Sequence, residues 1–164
     1  MVGQSEAAVL LDELKAYLRL DGPEEDGLLT WLLRAATAAV EASLGWVLVV
    51  RDVEERRLVR DGGVRMGVAP LYVLTEVVTA AGEAVAARPC GTGLLVDGVA
   101  DGVELTLRYR AGMSPDWNGL PEPVRLAVMR AAAHFHAHRD AADDAGLPPA
   151  VGQLIAPWRA RRVL

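Results

Sequence analysis

The chain has 164 residues, 52% of them hydrophobic and 5% aromatic, with a formal charge of −5. That length can bury a core without metal or disulfide staples, and the acidity disfavours a general nucleic-acid binder, which is normally basic. Cys90 is the single cysteine, which excludes an internal disulfide and fits a reducing cytoplasmic origin.

The opening MVGQSE has no basic region or long apolar run, so no signal peptide is expected. Ser5 is placed to cap a first helix over about 6–18, with Ala7, Leu10, Leu11, Leu14 and Leu18 on one face. Asp21-Gly-Pro-Glu24 breaks the chain and restarts it, with Asp21 and Glu24 spaced as a capping box and Pro23 in the first turn. A helix over 24–44 follows. It carries one stripe of Leu28, Trp31, Leu32, Ala35 and Ala39 and another of Leu29, Leu33, Ala36, Val40 and Leu44. Arg34 and Glu41 interrupt it, so it is no membrane span. Gly45 stands where a left-handed residue ends such a helix.

Beyond Gly45 the period shortens. WVLVV and then 53–59 read as strand, and Asp61-Gly62-Gly63 signals a hairpin into the alternating Val64, Met66 and Val68. Residues 72–79 are β-branched and strand-like, 83–87 are expected to pair back on them, and 89–93 read as a loop. In 103–110, Val103, Leu105, Leu107 and Tyr109 point one way and Glu104, Thr106, Arg108 and Arg110 the other. Short strands with tight turns imply an antiparallel sheet.

AGMSPDWNG, 111–119, is loop-like by composition. Pro121 and Pro123 then open an alanine-rich helix reaching about 140, whose stripes at Val124, Ala127, Val128, Ala131, Phe135 and at Leu126, Met129, Ala133 make it a core helix. A short helix over 148–155 ends at Pro157, and WRARRVL trails after it. Charge is uneven along the chain. Residues 1–44 hold eight acids against three bases, whereas 147–164 hold Arg159, Arg161 and Arg162 and no acid. Trp and Arg are enriched at interface hot spots, so this end is expected to dock on protein rather than fray.

Catalytic signatures are weak. His134 and His138 share a helix face, but zinc wants three or four ligands and no HExxH pattern is present. Cys90 beside Gly91 lacks a motif around it or around any base, and Ser114-Pro115-Asp116 is not a nucleophile elbow. The glycines at 91, 93, 98 and 102 form neither a phosphate loop nor a dinucleotide fingerprint. No cofactor or metal is expected, and no enzyme.

Three stretches together resemble the head–tail connector (neck adaptor) proteins of tailed bacteriophages and gene transfer agents. LDELKAYLRLDGPEEDGLLTWLLRAATAAVEASLGW is similar to the family's opening, a short helix leading through acidic residues into a long alanine-rich helix closed by glycine. VELTLRYRAGMSPDWNGLPEPVRLAVMRAAAHFHAHRD resembles its last strand, variable loop and Leu-Pro-opened helix, although His136 and His138 stand where the family more often has Tyr, Glu or Asn. LPPAVGQLIAPWRARRV resembles its terminal segment.

The resemblance implies an α+β fold, a four-helix head–tail-connector-like bundle (1–45 and 112–157) with an inserted antiparallel β subdomain (46–111) and a basic arm (158–164). It implies a structural role in the particle neck, assembled in the bacterial cytoplasm. There a ring, typically a dodecamer, forms under the portal, extends the DNA channel and meets a tail-side stopper protein. DNA passes without specific binding and no membrane is involved. Trp158, Arg159, Arg161, Arg162, Val163 and Leu164 would engage the portal, and Glu24, Glu25 and Asp26 would face the channel. The alternatives are a stopper or tail-completion protein, a small cytoplasmic enzyme using His134 or His138 with Cys90, and, disfavoured by charge, a DNA-binding regulator.

Overall fold

The computed structural model describes residues 4–138 and 146–159, with side chains in the first helix from Leu10 onward. The chain divides into two compact units, Met1–Leu48 with Asp116–Leu164, and Val49–Pro115. No described helix is long and apolar enough to cross a membrane.

The first unit holds α1 (Gln4–Leu18), α2 (Asp26–Leu44), α3 (Glu122–Ala137), α4 (Pro149–Ile155) and a 3-10 turn at Ala156–Trp158. Helix α3 is the hub, packing on α1, α2 and α4. Its buried residues are Val124, Ala127, Val128, Met129, Ala131 and Ala132, mostly short, which lets the neighbouring backbones come close. Pro121 precedes it with φ −56° and ψ 135°, so the prolines open the helix where no N–H is needed.

Helix α2 starts at Asp26, two residues later than the expected 24 and four later than a cap at Asp21 requires, and no side chain caps it. Its buried stripe is Leu29, Leu32, Leu33, Ala36, Val40 and Leu44. Trp31 turns outward and is 63% exposed, so only Leu32 of the first predicted stripe is fully buried. Two apolar stripes on one helix leave the choice of inner face to the partner helices, and here α3 selects the second. Gly45 has φ 73° and its N–H returns to the Glu41 carbonyl, a left-handed end as its position predicts.

WVLVV is not a strand. Val47 and Leu48 are buried at 6% and 0% exposure, and the Leu48 N–H is taken by Glu41 Oε1 at 2.9 Å. Burial and one side-chain acceptor thus override the β propensity of the run.

The second unit holds β1 (Arg51–Leu58), β2 (Gly63–Arg65), β3 (Leu71–Thr79), β4 (Ala87–Cys90), β5 (Gly93–Val96) and β6 (Glu104–Ala111). They form two antiparallel three-stranded sheets, ordered β1-β6-β3 and β2-β5-β4. The expected turn at Asp61-Gly62 forms, with Arg60 and Gly63 exchanging N–H···O bonds of 2.8 and 3.0 Å, but β1 and β2 lie in different sheets, so it carries the chain from one sheet to the other. Residues 87–96, read partly as a loop, are the β4–β5 hairpin. Both sheets feed one core of Val59, Val64, Val77, Leu94, Val96, Leu105, Leu107, Tyr109 and Ala111.

Strand β6 behaves as its alternation predicts, with Leu105, Leu107, Tyr109 and Ala111 buried. On its other face, Arg108 stands between Glu54 of β1 at 3.0 Å and Glu76 of β3 at 2.6 Å, each its direct cross-strand partner. The two carboxylates raise the Arg108 pKa further. The ends of this unit meet: the Val50 N–H donates to the Ser114 carbonyl at 2.8 Å, and Val49 bridges Ser114 in parallel. Gly112 lies alongside at φ 153°, and a Cβ there would sit 2.5 Å from Val50 Cα, so the closure needs glycine.

Tyr109 carries the one polar knot of this core. Its hydroxyl donates to Glu55 Oε1 at 2.9 Å and receives the Val68 N–H at 3.2 Å, while Glu55 also takes the Gly67 N–H at 2.8 Å. Burial and the Glu55 carboxylate push the Tyr109 pKa from 10.0 up to about 12. The unfolded chain releases this proton near pH 10 and the folded chain only near 12, so the contribution is whole below pH 10 and is lost as pH rises toward 12. Tyr109→Phe is expected to cost about 1–2 kcal/mol at pH 7, read by urea unfolding. It should also flatten the fall in stability between pH 10 and 12; an unchanged fall in the variant would remove Tyr109 as its source.

Candidate interaction surfaces

The C-terminal surface is built on α4. Val151 and Ile155, both 0% exposed, plug α4 into the helical unit. The chain then turns through Pro157, leaving Trp158 half-buried and Arg159 exposed. Arg159 Nη2 donates to Ser43 Oγ near the end of α2 at 3.1 Å. The first two residues of the expected arm therefore lie folded against their own unit, whereas Arg161, Arg162, Val163 and Leu164 fall outside the described residues.

The acidic turn before α2 is heterogeneous. Asp26 Oδ1 pairs with Lys15 Nζ of α1 at 2.7 Å, and Glu25 Oε2 meets His136 Nε2 of α3 at 2.9 Å. Glu24 is exposed. Two of the three carboxylates thus tie helices together, and Glu24 is the one turned to solvent.

The histidines do not assemble a catalytic or metal centre. The His134 and His138 rings lie 4.2 Å apart at 37°, and His138 Nδ1 donates to the His134 carbonyl at 2.9 Å. Among the described residues no group of three or more His, Cys, Asp or Glu is placed to hold a metal. Cys90 is exposed at the end of β4, in the other unit from the histidines.

Sequence reading missed a polar clamp in the helical unit. Glu13 of α1 accepts Trp117 Nε1 at 3.2 Å and Arg125 Nη2 at 2.6 Å. Arg125 also donates to Glu122 at 3.0 Å, and its guanidinium lies 5.9 Å from the Trp117 ring centroid. Trp117 is only 2% exposed. The available signal was a tryptophan inside a loop-like run, since so large an apolar surface seldom stays in water. The clamp pins the segment after the β unit, and the start of α3, to α1. Glu13→Ala and Arg125→Met are each expected to cost roughly 1–3 kcal/mol in urea unfolding, because charged hydrogen bonds are lost from a half-buried site. The double variant should cost less than the sum; strict additivity would show that the two side chains act independently.

No family model matches the chain, and no curated protein matches it. Solved structures do, over all of it. A chain in the neck of an empty gene transfer agent particle, computed with sixfold symmetry, matches with a TM-score of 0.79 and 25% identity, covering 100% of this chain and 95% of that one. A chain from the virion of a native gene transfer agent particle matches with a TM-score of 0.73 and 26% identity, covering 100% and 94%. A chain in the neck of a native particle, computed with twelvefold symmetry, matches with a TM-score of 0.76 and 24% identity, covering 100% and 95%. Two of these chains come from a particle neck and one from a virion, and the alternative reading as a small enzyme has no counterpart among them. By fold and along its whole length, the chain is similar to proteins from the neck and virion of gene transfer agent particles.

Proposed function

We propose that the chain is the head–tail adaptor of its particle. Copies form a ring, a dodecamer, beneath the portal, continue the DNA channel and offer their far side to a stopper protein. The observation that carries this is full-length similarity to chains from particle necks computed with sixfold and twelvefold symmetry. A closed ring needs a self-contact between two unlike patches of the same subunit. In this reading the helical unit is the four-helix connector bundle, and its C-terminal end is the portal contact. Trp158 and Arg159 begin that contact and Arg161, Arg162, Val163 and Leu164 complete it. Half-burial of Trp158 and the Arg159–Ser43 bond present the start of the segment in one orientation, which lowers the ordering cost of docking.

The acidic turn has a role in the same reading. DNA must slide through the neck without adhering, and fixed negative charge on a channel wall repels phosphate. Glu24 is the residue best suited to this, because Glu25 and Asp26 are engaged with His136 and Lys15.

Co-sedimentation with preassembled rings of the portal protein encoded nearby tests the central claim. The full chain should bind saturably, and a version truncated after Pro157 should lose at least tenfold in affinity. Binding that survives truncation would keep the adaptor and discard the C-terminal contact. No binding by either chain would point to a stopper or tail-completion role. Glu24→Lys should slow DNA ejection from particles or trap DNA in the neck; unchanged ejection would take Glu24 off the channel wall.

A further inference from the structure

The outward face of α2 is not an ordinary solvated helix face. Gly27, Trp31, Arg34, Ala38 and Ala42 are exposed along it, and their spacing puts them on one side of the helix. Solvent-facing stripes normally mix charges of both signs. This one has a 63% exposed tryptophan, small residues and a single charge, Arg34. Arg34 makes no hydrogen bond or ion pair with any described residue.

An exposed face of complementary character lies on α1 of the same unit. Asp12 and Ala16 are exposed and four residues apart, hence neighbours on one side of that helix. Asp12 likewise has no hydrogen bond or ion pair with a described residue. Each of these two faces therefore displays, among the described residues, an unmatched charge of opposite sign, one turn from an apolar position. Trp31 and Arg34 are three apart and Ala16 and Asp12 four apart, so the two pairs have nearly the same separation. Laid against each other, the indole covers the small Ala16 and the guanidinium meets the carboxylate.

We infer that the Trp31–Arg34 face of α2 docks on the Asp12–Ala16 face of α1 in a second copy of the chain. The inference rests on the ring reading above and names its self-contact. Two unlike patches make a head-to-tail contact, the kind that closes into a ring. A rigid indole from a long helix supplies a large contact area at small entropic cost, and tryptophan and arginine are the usual anchors of such contacts.

The test uses particles assembled with full-length chains in a Cys90→Ser background. Two single-cysteine chains, Asp12→Cys and Arg34→Cys, are co-assembled and treated with a short bis-maleimide. A dimer band should appear from the mixture and from neither chain alone, which excludes cross-links within one copy. Charge reversal gives an independent readout: Arg34→Glu and Asp12→Arg should each lower incorporation at least tenfold, and the double reversal should restore it. Chains that enter particles yet give no mixed dimer overturn this contact and leave the neck role standing. A cross-link from position 34 to a different virion protein also overturns it, by giving Trp31 another occupant. Failure of the unmodified chain to enter particles overturns the neck role and this contact together.

Discussion

Close packing of α3 against its neighbours is the constraint on which the helical unit depends. Val124, Ala127, Val128, Ala131 and Ala132 present almost no side-chain length, and Ala36 and Val40 of α2 are buried in the same unit. Helices that approach this closely leave no room for larger side chains, and interiors packed to crystal-like density respond to each added methylene. The peripheral ties are arranged around that seam. Lys15–Asp26 fixes α1 to the start of α2, Glu25–His136 fixes that start to α3, and Glu13 gathers Trp117 and Arg125. The ties from Glu25 and Glu13 join residues 104 to 112 apart in sequence, so they add register to a hydrophobic contact that alone would tolerate sliding.

The β unit solves a different problem with similar economy. Its β1-β6-β3 sheet presents a charged outer face, but the charges are matched in place: Glu54 and Glu76 flank Arg108, and Asp52 approaches Arg110 at 3.7 Å. Exposed pairs of this kind contribute little to stability. Their use is to define strand register and to keep a sheet edge unattractive to other strands.

Much of this was legible in the chain, and the failures have physical causes. The alternation in β6 was readable because one face of that strand is wet and the other dry, so period and burial coincide. Gly45 and the two prolines before α3 were readable because backbone geometry leaves few alternatives. Trp31 misled because α2 has two apolar stripes, and periodicity reports amphipathicity without saying which side meets the partner. WVLVV misled because propensity is local and the burial of Leu48 is not. The Glu13 clamp was invisible, since residues 104 and 112 apart share no local pattern. Of the residues proposed for interaction, sequence gave their chemistry, and the structure separated Glu24, turned to solvent, from Glu25 and Asp26, which hold helices.

The meeting of Val49 and Val50 with Ser114 has an evolutionary consequence. A segment whose two ends lie a hydrogen bond apart can be lengthened, shortened or exchanged while its attachment points stay where they are. Closing such a loop costs little more for a long insert than for a short one, because the entropy grows only with the logarithm of length. The stretch 49–115 is thus a cassette, free to follow whatever it faces, while the helices on either side of it in sequence answer to each other. Divergence between lineages should concentrate in the cassette and spare the seam. That would let one helical scaffold be refitted to different surroundings without being rebuilt.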